Sequence, residues 1–296
     1  MKPKVSICIP AYKEPELIKI CLESIVKQTF SNYEVVITDD SPNNELGIII
    51  NSYKDKIKNI RYYKNESNKG SPENWNECVR KAQGEYIKII HHDDWFVDET
   101  CLQKFVDLLD NNPEVNFAFS ACNSCDRDRE LISVHKINNA TLEGLKKNYE
   151  TLFLGNFIGA PSVTIYRKQV NLEYNKDLMW LVDIDFYTKI LSINNKFAYC
   201  NDILMNVTAD SDHQVTKQCE NNKEIDLSES IYLYSKIKDI IIRIKYLSIL
   251  RYKFYKYKIN KIEDIPSKNN LQIYPEFILL IKLNSIRKFI KNILTK

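Results

Sequence analysis

Apolar positions along this chain fall into two alternating patterns. Val5 to Pro10 (VSICIP), Glu34 to Thr38 (EVVIT), Ile60 to Lys64, Tyr86 to Ile90, Val115 to Ser120 and Val163 to Tyr166 are short runs dominated by apolar and β-branched or aromatic residues. The nearly continuous ones have the composition of strands buried on both faces of a parallel sheet. Between them the spacing lengthens. From Glu14 the residues Leu17, Ile20, Cys21, Ser24 and Ile25 recur at helical intervals, and similar patterns predict helices at Asn44 to Lys54, Glu73 to Gln83, Glu99 to Leu109, Leu145 to Leu154 and Met179 to Ser192. Strand and helix alternate, so the expected fold class is α/β, a Rossmann-like, mainly parallel sheet flanked by helices with right-handed crossovers.

The strand ends carry the polar residues. The run at Glu34 stops at Asp39, Asp40 and Ser41, and the run at Tyr86 stops at His91, His92, Asp93 and Asp94. Polar groups there face the crevice in which open α/β sheets bind ligands. Asp93 and Asp94 offer hard oxygen ligands suited to Mg²⁺ or Mn²⁺. The competing reading of the same pair is a cap for the helix that follows.

From about Ser228 the text becomes aromatic, Lys-rich and helical, which sets a division into 1–225 and a basic C-terminal extension at 226–296. Residues 231–296 hold 15 Lys and Arg against 4 Asp and Glu, a local charge of +11 in a chain whose net charge is only +3. This extension suits an anionic membrane surface or packing on the preceding 225 residues or a second copy of the chain. Its aliphatic and aromatic content exceeds what nucleic-acid binding needs. With 44% hydrophobic residues in 296, the chain can bury a full core. The eight cysteines are scattered as reduced core thiols would be, and Cys122 and Cys125, the one CxxC pair, lack partners at zinc spacing. No apolar run reaches the roughly 18 residues of a membrane span, and the N-terminal one is too short for a signal peptide, so a cytoplasmic location is expected.

The set IPAYKE (Ile9 to Glu14), QTFSNYEVVITDDSPN (Gln28 to Asn43), NKG (Asn68 to Gly70), AQGEYIKIIHHDD (Ala82 to Asp94) and VDIDF (Val182 to Phe186) resembles, in order and spacing, the family 2 glycosyltransferases, which have the GT-A fold. The likeness runs over about residues 4 to 215. It implies an inverting transfer of a sugar from a nucleotide-diphosphate donor, most simply UDP-linked, to a glycan or lipid-linked acceptor in bacterial surface-glycan assembly. By that resemblance Pro10, Ala11, Tyr12 and Glu14 line the nucleotide pocket together with His92, Asp39 accepts a hydrogen bond from the base, and Asp93 is the metal-binding member of a DxD motif whose first acid is replaced by His91. Asp183 matches the family's catalytic base, with Asp185 as competitor; an acceptor hydroxyl needs such a base as it attacks. Two residues apart on a helix, these acids point in different directions, so one should face the donor.

Lys69 could reach the diphosphate or stay a solvated loop lysine. Glu73 stands where the family more often has Arg. Trp180 reads as a sugar-stacking platform or a core residue, Asp94 is placed on the acceptor side, and His213 in the loop ADSDHQVTK is a candidate metal or phosphate ligand. Two other classes remain: a non-catalytic nucleotide-sugar binder or assembly scaffold, and a nucleotidyltransferase. The latter lacks its expected Gly-rich basic loop after the first strand.

Overall fold

The computed structural model describes residues 2–209, 219, 221–266 and 272–283. Its centre is a nine-stranded sheet among the described residues. The first half is the expected parallel arrangement. β1 (Val5–Ala11) pairs in parallel with β2 (Tyr33–Asp39) and with β4 (Tyr86–Ile89), and β2 pairs with β3 (Ile60–Lys64). α1 (Pro15–Val26), α2 (Glu45–Asn51) and α3 (Ser71–Lys81) make the crossovers. Val5, Ile7, Cys8, Ile9, Val35, Val36, Ile37, Ile87 and Ile89 are fully buried, which is why these strands read as continuous apolar runs rather than alternating ones.

Beyond β4 the sheet is mixed. β8 (Thr164–Arg167) runs antiparallel to both β4 and β6 (Phe117–Cys125), so β6 again points the same way as β4. β9 (Ala198–Thr208), a long strand that the apolar pattern does not announce, pairs in parallel with β6 and ends on the same edge. The short β5 (Trp95–Phe96) pairs with β9, and β7 (Leu131–His135) with β6. α4 (Cys101–Asp110) begins after Thr100. The stretch after Asp94 is therefore strand β5, and the Asp93–Asp94 pair caps no helix. The helix expected at Leu145 to Leu154 is instead α5 (Asn139–Lys147) followed by a tighter 3₁₀ segment, Tyr149–Leu154.

One buried carboxylate ties the parallel half together. Glu34 on β2, fully buried, accepts from the Ser6 hydroxyl and the Gln83 N–H at 2.5 Å each, and pairs with Arg61 of β3. Gly84 closes the same corner: a Cβ there would lie 2.5 Å from the Ser6 backbone nitrogen, so only glycine lets β4 enter beside β1.

The C-terminal extension packs on the rest of the chain. α7 (Lys223–Lys236) and α8 (Ile240–Lys256) share an apolar cluster with Phe153 and with Ile184 of α6 (Val182–Ile193). Polar ties run both ways. Glu150 accepts from the N–H groups of Lys238 (3.0 Å) and Asp239 (2.7 Å) at the α7–α8 turn, and Asn148 donates to Asp239 at 3.0 Å. Among the described residues no helix is long and apolar enough to cross a membrane.

Removing Arg61 leaves the Glu34 charge buried with its counter-ion gone. Arg61→Ala is expected to lower stability by about 3 kcal/mol, read from the urea midpoint, with Arg61→Lys recovering part of the loss.

Candidate active site

Because β1, β2 and β4 are parallel, their carboxyl ends open on one edge, and the chain continues the ladder just past them. Asp40 N–H donates to Ala11 O and Ile90 N–H to Cys8 O, both at 3.0 Å. The turn from β1 into α1 is strained: Lys13 and Glu14 both sit at φ 56, where side-chain-bearing residues are uncommon. Such strain clusters at ligand sites. Ser41 helps hold it by accepting from Lys13 N–H at 2.7 Å, and Glu14 is locked to Arg127 at 2.6 Å. Pro10 and Ala11 end β1 in the sheet floor, and Tyr12 is exposed at the mouth.

Asp39, expected to read the base, is fully buried. Its oxygens accept from Ser41 N–H (2.7 Å) and the Tyr62 hydroxyl (2.7 Å) and pair with Lys64 at 3.1 Å. Asp40 organises the loop after β3, accepting from the Asn65 amide at 2.6 Å and from the N–H groups of Lys69 and Gly70 at 3.1 Å each. The Lys69 ammonium turns to Glu77 at 3.4 Å rather than standing alone in the loop.

At the end of β4, His91, Asp93 and Asp94 can bring one ligand atom each to within 4.8 Å of one another. This is the metal-competent cluster among the described residues. Burial pushes the His91 imidazole down to about 4, so at neutral pH it is uncharged and able to coordinate. Trp75 packs on its ring at a centroid distance of 4.9 Å. Asp94, expected on the acceptor side, turns inward with only 1% exposure: one oxygen accepts from Thr208 N–H at 2.9 Å, and the other has no hydrogen-bond partner, as is also true of His91 Nε2. Burial, aided by the Asp93 charge, holds the Asp94 carboxyl well above the usual range. Two unsatisfied ligand atoms and a carboxylate that cannot easily ionise alone fit a divalent cation. His92 and Asp93 are half-buried beside them. Lys88, fully buried on β4, donates to Ser162 O and lies 4.3 Å from the Phe105 ring centroid, and burial lowers its ammonium to about 7. His213 lies outside the described residues.

The two acids of VDIDF part company, as their spacing implied. Asp183 in the first turn of α6 faces a cavity of about 360 Å³, lined also by Asn156, Trp180, Tyr246 and Lys253. Its Oδ2 accepts from the Asn156 amide at 2.6 Å, and its carboxyl is pushed up to about 7, mainly by burial and further by the Glu229 charge. Asp185 is buried instead against the extension, accepting from the Tyr232 hydroxyl at 3.0 Å and pairing with Lys189 at 2.6 Å. Trp180 is half-buried on the cavity wall beneath the Lys253 ammonium, 5.4 Å from its ring centroid.

One segment spans both groups. In GNFIGAPS, Asn156 touches Asp183, and Ser162 Oγ accepts from His91 N–H at 2.9 Å. Between them Gly159, at φ 108, donates to Asn156 at 2.9 Å and accepts from the Tyr187 hydroxyl at 3.0 Å. The sequence marks this loop as unusual but does not say that it bridges the cluster and the acid.

The family model described as glycosyl transferase family 2 matches residues 6–174. The chain belongs to glycosyl transferase family 2. An uncharacterized glycosyltransferase of Methanocaldococcus jannaschii is 30% identical over 207 residues, 69% of this chain and 70% of that protein. The poly(ribitol-phosphate) beta-glucosyltransferase of Bacillus spizizenii is 33% identical over 115 residues, 38% of this chain but only 18% of that protein. Among solved structures, S. aureus TarS 1–349 in complex with UDP-GlcNAc superposes with a TM-score of 0.63 at 17% identity, covering 95% of this chain and 79% of that one. The mannosyltransferase PcManGT of Pyrobaculum calidifontis, in complex with GDP-Man and Mn²⁺, gives 0.59 at 14% identity, covering 100% and 88%. These likenesses confirm the GT-A glycosyltransferase fold that the five motifs implied, and with it a glycosyltransferase.

The Asp40 network generates an expectation of its own. In this glycosyltransferase Asp40→Ala strips two backbone N–H groups of their acceptor. Amide exchange at Lys69 and Gly70 should accelerate strongly, and stability should fall by about 2 kcal/mol.

Proposed function

We propose that this glycosyltransferase moves a hexosyl or N-acetylhexosaminyl group from a UDP-linked donor to an acceptor hydroxyl with inversion, in surface-glycan assembly. The observation that carries the reading is the Gly155–Ser162 loop, which holds His91 of the metal-competent cluster at one end and the cavity acid Asp183 at the other. A site for the leaving diphosphate and a base for the acceptor hydroxyl are the two groups that a single displacement requires. UDP and UDP-GlcNAc in the TarS complexes support the choice of donor, and Mn²⁺ in PcManGT the choice of ion.

In this mechanism Asp183 accepts the proton of the acceptor hydroxyl while the acceptor oxygen forms its bond to the anomeric carbon. The bond from that carbon to the diphosphate oxygen breaks, and the electron pair leaves with UDP. Asp93, with His91 and Asp94, would hold Mn²⁺ or Mg²⁺, which when bound neutralises the charge growing on the diphosphate. Asp39 is read as the carboxylate that meets the base; because it is buried with both oxygens engaged, a uracil N–H reaches it only where the Tyr62 or Lys64 contact on Oδ2 gives way. Trp180 supplies an apolar face for a sugar ring at the acceptor cavity.

Residues 1–225 act as the catalytic domain, with α7 straddling their end, and α8 seats the enzyme on the inner face of the cell membrane, near a lipid-linked acceptor. α8 has a second apolar side facing away from its buried one: Ile240, Ile241, Ile244 and Tyr252 are 60–66% exposed, with Lys245 and Arg251 exposed among them. Aliphatic and aromatic residues flanked by cations suit an anionic lipid surface.

Two measurements test this. Release of UDP from a panel of nucleotide sugars should require Mn²⁺ or Mg²⁺ and fall at least about 100-fold in Asp93→Ala and Asp183→Asn. Because the base must be deprotonated and its carboxyl titrates near 7, kcat should fall as pH drops below about 7 and level off above it. Turnover that survives both substitutions rejects the assignment. In the second, the protein should sediment with vesicles containing phosphatidylglycerol but not with pure phosphatidylcholine, and Ile241→Glu with Ile244→Glu should abolish this.

A further inference from the structure

The helix that carries Asp183 starts without a polar side chain at its N-cap position. That position is Leu181, which brings no side-chain hydrogen bond. In the helix's first turn the Ile184 N–H is taken by Asp183 Oδ1 at 2.8 Å, whereas the Leu181 N–H and the two amides that lead into the helix find their acceptor elsewhere. The partner comes from about 50 residues further along the chain. Glu229 of α7, only 4% exposed, accepts from Met179 N–H at 2.6 Å through one oxygen and from Trp180 and Leu181 N–H at 3.0 and 2.8 Å through the other. Three consecutive amides converge on one carboxylate, which also places a negative charge at the positive end of α6. Asp185 is gripped from the same helix by Tyr232, so α7 holds both the approach to α6 and its inward face.

We propose that Glu229 is a positioning residue of the transfer reaction: from the C-terminal extension, it fixes the Met179–Leu181 segment that sets the Trp180 platform and aims Asp183 into the cavity. The proposal rests on the reading of Asp183 as the base. α8 completes the arrangement, since Lys253 over Trp180 pairs with Asp226 of α7. The extension thus has an internal reason to stay with the catalytic half, whatever its outer face binds. Charge adds a signature that a purely structural strut would lack. Asn156, Tyr174, Tyr187, Lys253 and Glu229 surround Asp183 or its cavity, and Glu229 is the one whose charge raises the Asp183 carboxyl.

The test uses the full chain with Glu229→Gln, which keeps the size but loses the charge and one acceptor oxygen, and with Glu229→Asp as the conservative variant. Amide exchange over residues 179–183 should accelerate about tenfold or more in Glu229→Gln. UDP binding with Mn²⁺, by calorimetry, should match the native protein. With the donor that is turned over, kcat should drop roughly 10- to 100-fold at unchanged donor KM, as misplacement of a catalytic group by a fraction of an ångström does. The acid limb of the pH–kcat profile should move to lower pH, and Glu229→Asp should recover part of the rate. Unchanged exchange over 179–183 overturns the proposal, and so does faster exchange with kcat and the acid limb in place. If Glu229→Gln does not fold, the same readouts on Glu229→Asp decide. Full turnover by Asp183→Asn instead removes the base reading, and the exchange data distinguish that failure from a failure of Glu229 to hold the segment.

Discussion

The parallel register of β1 with β2 and β4 is the constraint from which the site follows. Parallel strands end on a common edge, and there the ladder leaves backbone groups for loops to satisfy. In this chain the loops bring Asp39, Asp40, His91, Asp93 and Asp94 to that edge. Glu34, buried beneath β1 to β3 with Ser6, Arg61 and the Gln83 amide, secures this register at the opposite end. A slip of one residue would turn every side chain to the other face, taking Asp39 and the buried Ile7, Val35 and Ile37 with it.

The second half of the sheet makes a different contribution. By reversing at β8 and running parallel again at β6 and β9, it returns Ser162 and Thr208 to the carboxyl edge of β4. Thr208 then braces Asp94, Ser162 braces His91, and the loop ahead of Ser162 braces Asp183. Aromatic rings complete the connection: Trp75 packs on His91 and Tyr174, and Tyr174 stacks on Phe186 of α6 at 4.0 Å. Cluster and acid are therefore set by one continuous layer of contacts.

Much of this was legible in the chain itself. The continuous apolar runs announced β1, β2 and β4 because burial on both faces removes the polar alternation that would otherwise mark a strand, and the acids at their ends announced the crevice. The two-residue spacing of Asp183 and Asp185 correctly implied that they diverge. β9 escaped notice because its burial is uneven and its text, AYCNDILMNVT, mixes polar and apolar residues without a clean period. The paired acids before β5 read equally well as a helix cap, since a cap and a metal ligand demand the same residue types.

The sequence by itself determined the fold class, the family and the identity of the acids, because these depend on local periodicity and on motifs a few residues long. Which acids face a cavity and which are consumed by structure was decided only by tertiary packing. Asp183 and Asp185 are chemically alike and near neighbours, yet one meets Asn156 and open space while the other meets Tyr232 and Lys189. Glu229 stands inside a polar helical stretch with nothing local to mark it. Its role arises from contacts separated by about 50 residues, and a carboxylate's partners at that range are set by how helices pack, not by its neighbours in the chain.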